Sequence, residues 1–164
     1  MPLPDRPAAV TAHAVPDALA YLAGTWRVER SVRDFAADGD GPAEGRFSGT
    51  TRFTPLSEGA VPGAGLLHQE SGTFTWQGVA RPAERTLRFL PGEPASTVVV
   101  RFADGRFFHG LDLRTGRHTA DHPCAADLYR GDFEVAAEDR WRTRWRVRGP
   151  AKDLLLTTEY LRAS

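Results

Sequence analysis

The stretch HTADHPCAADLY, His118 to Tyr129, gathers two of the chain's five His, its only Cys, two Asp and a Tyr. Three chemistries use these residue types. On a helix, His118 and His122 would share a face at a spacing fit for zinc. Cys124 close to His122 would be a thiol beside a base. His122 with Asp127 and Tyr129 would be a set for moving protons. Secondary structure decides among them. Thr119, the alternation around it and Pro123 favour a strand over a helix. At about 3.3 Å per residue, a strand sets the two His roughly 13 Å apart, too far to share an ion. No metal site is therefore expected. Pro123 turns the chain before Cys124, and a lone Cys more often packs as a small apolar residue. Asp127 and Tyr129 share one face of the following strand, Tyr129 with Gly131, Phe133 and Val135. The pair either orients a His, or divides into an Asp that caps a turn and a Tyr at a barrel mouth.

The turn Arg114-Thr115-Gly116-Arg117 sets what His122 meets. With Thr115 and Gly116 central, His109 faces His122 across a hairpin, their Cβ atoms roughly 5 Å apart. A three-residue loop with a bulge at Gly116 shifts the register by one and breaks that pairing. His109 shares its face with Phe107, Leu111 and Leu113. In an apolar lumen, burial and like charge both lower an imidazole pKa, leaving a neutral base. The plain alternative is a core His that satisfies a backbone or Tyr partner.

Farther upstream, His68 and Glu70 share a face with Leu66 and Gly72. If that face is inward, Glu70 is a buried carboxylate in need of a partner. Arg30, on the Trp26, Val28 and Val32 face, can supply one. If Leu67, Gln69 and Ser71 point inward instead, both polar residues are solvated; the pattern does not decide. Trp76 with Phe74, and Trp141 with Trp145, would line a cavity for a planar or apolar ligand, or fill a core. Arg140, Arg142, Arg144, Arg146 and Arg148 alternate with apolar residues, so all face one way. Asp132, Glu134, Glu138 and Asp139 are placed to pair with them as a solvated face.

These residues need a scaffold, and its pattern is mostly strands. Asp17 can cap a short helix, Ala18 to Leu22, ended by Gly24. Residues 1–16, rich in Pro and Ala, are expected to be poorly ordered. From Trp26 on, short alternating segments follow one another. They include Leu66 to Phe74 and Phe74 to Ala80, with a bulge at Gly72, and a short strand at Leu87 and Phe89. About ten strands joined by short turns point to an all-β, up-and-down antiparallel barrel over residues 17–164. A barrel of that size leaves room for one small ligand. Lys plus Arg and Asp plus Glu number 21 each, so no net field points to nucleic acid or membrane. A single Cys suits a reducing cytoplasm. No apolar run approaches the roughly 18 residues of a membrane span, and MPLPDRPAAV does not read as a secretory signal.

Gly24-Thr25-Trp26 at the start of the first strand and Arg162 near the end of the last resemble the calycin pattern of lipocalins and fatty-acid-binding proteins. That resemblance implies a Trp closing the barrel bottom with an Arg packed across it. DGRFFH at Asp104 to His109, HPCAADLY at His122 to Tyr129 and GPAKD at Gly149 to Asp153 resemble an uncharacterised family of small bacterial proteins expected to share this barrel. Haem-binding nitrobindin-like barrels are more distant in shape, and their haem-ligand motif matches no residue here.

The expectation is a cytoplasmic, calycin-like barrel that binds one small organic molecule as a binding or carrier protein. The ligand would meet His109, His122, Tyr129, Trp76, His68 and Glu70, with no cofactor, nucleic acid or membrane; a homodimer stays open. The alternative is a cofactor-independent isomerase, cyclase, lyase or hydrolase using His109, His122, Tyr129 and Asp127. Haem binding through a His is the minor alternative.

Overall fold

A computed structural model describes residues 11–36, 41–56 and 64–163. Helix α1, Ala18–Leu22, begins where the Asp17 side chain accepts a hydrogen bond from the Ala20 N–H at 3.1 Å. Ten strands follow among the described residues. They are β1 Gly24–Asp34, β2 Ala43–Pro55, β3 Leu66–Trp76, β4 Val79–Pro91, β5 Thr97–Phe102, β6 Phe107–Asp112, β7 Arg117–Cys124, β8 Asp127–Ala137, β9 Arg140–Arg148 and β10 Asp153–Arg162. All pairings are antiparallel. The sheet order is β6-β5-β4-β3-β2-β1-β10-β9-β8-β7, so the last strand returns to the first and the barrel is nearly closed. Its seam lies between β6 and β7, two strands consecutive in the chain.

The turn between those strands explains the seam and corrects an expectation. The Gly116 N–H donates to the Leu113 carbonyl at 2.9 Å, which makes Arg114 and Thr115 the central residues. Gly116 then takes φ +81°, the left-handed region that glycine tolerates. This is the shifted register, and β6 does not pair with β7. The N-terminal segment fastens to backbone carbonyls on either side of this turn. His13 donates to Val135 O at 2.8 Å, and Val15 donates to Leu113 O at 3.0 Å. A Cβ at Gly116 would strike the His13 carbonyl. Residues 1–10 of the segment expected to be poorly ordered lie outside the described residues, but Val15 is buried.

One end of the barrel is stoppered. Val15, Ala18, Leu22 and Trp26 are buried, and the Trp26 indole N–H donates to Leu22 O at 2.8 Å. The Arg162 guanidinium lies 4.1 Å from the Trp26 ring centroid and donates to Tyr21 O and Ala23 O at 2.7 and 3.1 Å. One cation thus covers a ring face and satisfies carbonyls at a helix end that has no further turn to bond. Trp26 and Arg162 meet as the calycin resemblance implies. Among the described residues no helix is long and apolar enough to cross a membrane.

Strands β3 and β4 differ from their sequence reading. β3 runs unbroken to Trp76, with regular register through Gly72, which faces Gly49. No bulge forms; the two glycines lie so close that a Cβ on either would collide with the backbone of the partner strand and with the Phe47 ring. Gln77 and Gly78, with φ of 49° and 78°, make a two-residue turn whose twist matches the flanking strands. β4 is therefore long. Its pairing with β5 covers only Leu87 to Pro91, so Val79 to Thr86 project past the end of β5. The wall has a notch there, beside Arg85.

Candidate functional site

Inward residues of the strands line a partly open cavity of about 130 Å3. For scale, a dry cavity of about 150 Å3 admits one benzene. Strands β1, β3 and β10 make a polar wall, while β6, β8 and β9 make an aromatic one.

The polar wall centres on Glu70, buried at 4% exposure. The inward face of β3 is thus the His68–Glu70 face. Register sets Glu70 between Thr51 of β2 and Arg85 of β4. Arg30 grips the carboxylate with both terminal nitrogens, at 2.6 and 3.0 Å. Thr51 donates to Oε2 at 2.9 Å. Arg30 also donates to Thr158 Oγ1 at 2.8 Å and to the Tyr160 hydroxyl at 3.3 Å. Burial pushes the Glu70 carboxyl up, but the Arg30 hydrogen bonds and the Arg85 and Arg30 charges outweigh it and lower its pKa to about 2. For Arg30, burial is again outweighed, by Tyr160 and Glu70, and its pKa is raised. Arg85 reaches Glu70 Oε2 only at 3.9 Å, with 44% of its side chain exposed. His68 is wedged between the rings of Phe53 and Phe89, at 5.0 and 5.6 Å between centroids. Burial, then the Arg85 charge, lowers its pKa to about 3, with Glu70 opposing. Its Nδ1 is buried and has no hydrogen-bond partner among the described residues.

The aromatic wall depends on a bulge. Val100 pairs with His109 and Arg101 with Phe107, so Phe108 is an extra residue in β6. A bulge turns two successive side chains to one side. Phe108 and His109 both line the cavity, while Phe107, expected inward, is 54% exposed. The Trp145 ring lies against Gly131, where any Cβ would meet it, and 5.3 Å from His109 between centroids. Phe133 stands at the same 5.3 Å from His109. The His109 Nδ1 lies 2.8 Å from Gly110 O. A carbonyl only accepts, so in the neutral ring Nδ1 carries the proton and Nε2 keeps a lone pair. Burial is the main cause lowering the His109 pKa to about 4; the Gly110 bond opposes it, and nearby His118 and His122 add to it. A neutral imidazole of this kind accepts a hydrogen bond or takes up a proton.

The candidates from the sequence separate into two groups. His68, His109 and Tyr129 line the cavity, and Glu70 stands behind Arg30, which also lines it. Three others lie outside the lining. His122 does not face His109; it pairs with Tyr129, and its ring meets Phe108 and Phe102 at 5.1 and 5.9 Å. The missing β6–β7 ladder is the reason. Trp76 stacks on Phe74 at the far end of β3 and covers Gly45, because β3 runs past the cavity. Asp127 binds Lys152 Nζ at 3.1 Å beside the chain turn at Gly149. Cys124 is exposed. Outside the barrel, Arg142 pairs with Glu134 and Glu159, and Arg146 with Asp153 at 2.7 Å.

Sequence reasoning passed over Thr51, Thr158, Arg85 and Phe108. Thr51 was visible as the polar member of the Phe47, Gly49, Thr51, Phe53 face. Arg85 shares the period of Leu87 and Phe89 and would have been found had that strand been extended upstream. Phe108 carried no signal, since the alternation alone put Phe107 inward.

Several solved structures share the barrel. An S-type phycobiliprotein lyase from Guillardia theta is 10% identical, with a TM-score of 0.61 over 89% of this chain and 90% of that one. A protein of unknown function of the DUF3598 family from Nostoc punctiforme is 12% identical, with a TM-score of 0.58 over 96% of this chain and 53% of that one. At these identities the likeness is one of fold. No curated protein matches the chain. A family model does match residues 22–162, from the last residue of α1 to the Arg162 that packs on Trp26. The chain belongs to DUF6314, a family of unknown function.

Proposed function

We propose that the lumen binds one small organic molecule, about the size of a single ring system, and that the protein serves as a binding or carrier protein in the cytoplasm. The observation that carries this reading is the 130 Å3 cavity itself, bounded by Phe108, Phe133, Trp145 and Phe89. A core packed for stability alone leaves few voids larger than a water. Rings around a polar anchor are the usual composition of a small-molecule site. His109 Nε2 and the Tyr129 hydroxyl are the groups that would orient the guest. The cavity is far below the roughly 300–1,000 Å3 of drug-sized sites, which argues against a guest as large as haem.

The open nitrogen of His109 favours a second reading, cofactor-independent acid–base catalysis on the same guest. In that case His109 takes the proton and Tyr129 assists from β8. His122 and Asp127 would not take part, being held outside the lining.

Native mass spectrometry of freshly purified protein, with a panel of single-ring compounds added, tests the binding reading. We expect at least one adduct, lost in Leu156→Trp, which fills the lumen from β10. If no compound binds the wild type better than Leu156→Trp, the reading fails. If His109→Ala still binds the guest but no longer converts it, the protein is an enzyme.

A further inference from the structure

The charges around the cavity do not balance. Arg30 and Arg85 both line it, and Glu70 is the carboxylate that meets them. Arg30 claims that carboxylate through two short hydrogen bonds, and Thr51 occupies one of the same oxygens. Arg85 stands opposite Glu70 in the β3–β4 register but stops at 3.9 Å, beyond hydrogen-bond distance. Among the described residues no hydrogen bond to its guanidinium is found. The other titratable groups on the lining do not offset it. His68 and His109 are uncharged at neutral pH, and the lowered pKa of each reflects the Arg85 charge in part. One positive charge is therefore left over.

The position of that charge matters as much as its sign. Arg85 lies on the part of β4 that extends past β5, at the notch in the wall. Its side chain is neither sunk in the core nor free on the surface. Farther in, the space is bounded by Leu87, Phe89, Phe108, Phe133 and Trp145. A guest with an apolar ring at one end and an anion at the other matches this order. The ring would lie among the aromatic side chains, and the anion would take the guanidinium N–H groups that Glu70 does not use. A planar guanidinium suits a carboxylate better than any other common side chain does.

We propose that the lumen is selective for small aromatic monoanions, carboxylates above all, and that Arg85 is the residue that sets this selectivity. The inference rests on the reading of the lumen as a small-molecule site and narrows it to one chemical class. It assigns Arg85 a task separate from that of Arg30, whose hydrogen bonds are consumed within the wall.

Benzoate and benzamide make a matched pair of probes, with the same ring and nearly the same shape but different charge. Titration of the full-length protein at pH 7, read by calorimetry and by Trp emission, gives both affinities. Benzoate should bind at least about tenfold more tightly, as expected of a charge-assisted bond in a partly enclosed site. Arg85→Met should bind the two probes alike, and Arg85→Lys should keep a preference for benzoate. Equal affinities in the wild type overturn the anion inference and leave the small-molecule reading standing. So does a benzoate preference that survives in Arg85→Met. If neither ring binds the wild type, the inference falls, and the wider panel of single-ring compounds decides the site reading separately.

Discussion

On the β1–β3–β10 side of the cavity, Glu70 receives two hydrogen bonds from Arg30 and one from Thr51, and Arg30 spends further N–H groups on Thr158 and Tyr160. On the β6–β8–β9 side, His109 gives one ring nitrogen to the adjacent carbonyl and keeps the other free among three aromatic rings. The Arg30–Glu70 pair on the first wall is complete without a guest, while the buried Nδ1 of His68 beside it has no partner among the described residues. The ion pair is bidentate and buried, and such pairs fix geometry more reliably than they add net stability. The second wall has capacity left over. The Arg30–Glu70 pair thus holds the polar wall in shape, while His109 on the aromatic wall, and Arg85 across from Glu70 on β4, keep hydrogen-bonding capacity that a guest can use. The buried ion pair and the open imidazole of His109 lie on different strands.

Breaking the polar wall should have the largest effect. Glu70→Gln keeps the shape of the side chain but leaves the Arg30 guanidinium buried without its counter-charge. Loss of one partner of a buried pair costs about 3–5 kcal/mol. Urea unfolding at pH 7 should show a loss of that order. The double variant Arg30→Met, Glu70→Leu should recover most of it, because it removes both charges together. If Glu70→Gln loses less than about 1 kcal/mol, water already serves this wall and the contrast between the walls dissolves.

The two walls were not equally legible in the sequence. Period-two alternation gave the strands, and the Gly24-Thr25-Trp26 and Arg162 pair marked the stoppered end, since burial on one face leaves a direct trace in residue order. The same logic offered Arg30 as a partner for Glu70, both on apolar faces of their strands. The aromatic wall was harder to read because it depends on offsets of a single residue. The turn at Gly116 and the extra residue at Phe108 each shift a register by one, and a shift of one exchanges the faces of a strand. Phe107 and Phe108 are chemically identical, so nothing local says which of them faces inward. Likewise, Asp127 looked like a partner for a His until the turn at Gly149 brought Lys152 to it.

Next in size is a change behind the aromatic wall. Gly131 lets the Trp145 ring lie flat on β8, and a methyl group there would displace the ring. Gly131→Ala should tilt Trp145 into the cavity. Overpacking of this kind costs about 1–3 kcal/mol, read as a lowered urea midpoint, and single-ring compounds should bind more weakly. If stability falls and binding does not, Trp145 has moved outward and the wall is softer than the packing implies.

The smallest effect is absent at neutral pH and separates the walls by acidity. The folded pKa of His109, about 4, lies below the ordinary value of about 6.5. Between those values the unfolded chain binds a proton that the folded chain refuses. This contribution to stability is therefore complete above about pH 6.5 and is lost as pH falls toward 4. His109→Phe keeps a ring in the wall and removes the proton site. Relative to pH 7.5, the wild type should lose roughly 1.4 kcal/mol more than the variant by pH 5.5. His68, depressed for the same main reason, remains in both proteins and cancels in the difference. Glu70 acts in a separate window, because its carboxyl at about 2 lies below its ordinary value. Its contribution is lost only as pH falls from about 4.5 toward 2. Mild acid should therefore load the aromatic wall while the Arg30–Glu70 pair still holds. Parallel stability curves for wild type and His109→Phe between pH 7.5 and 5.5 would mean that His109 meets solvent, and that its open nitrogen is no part of a sheltered site.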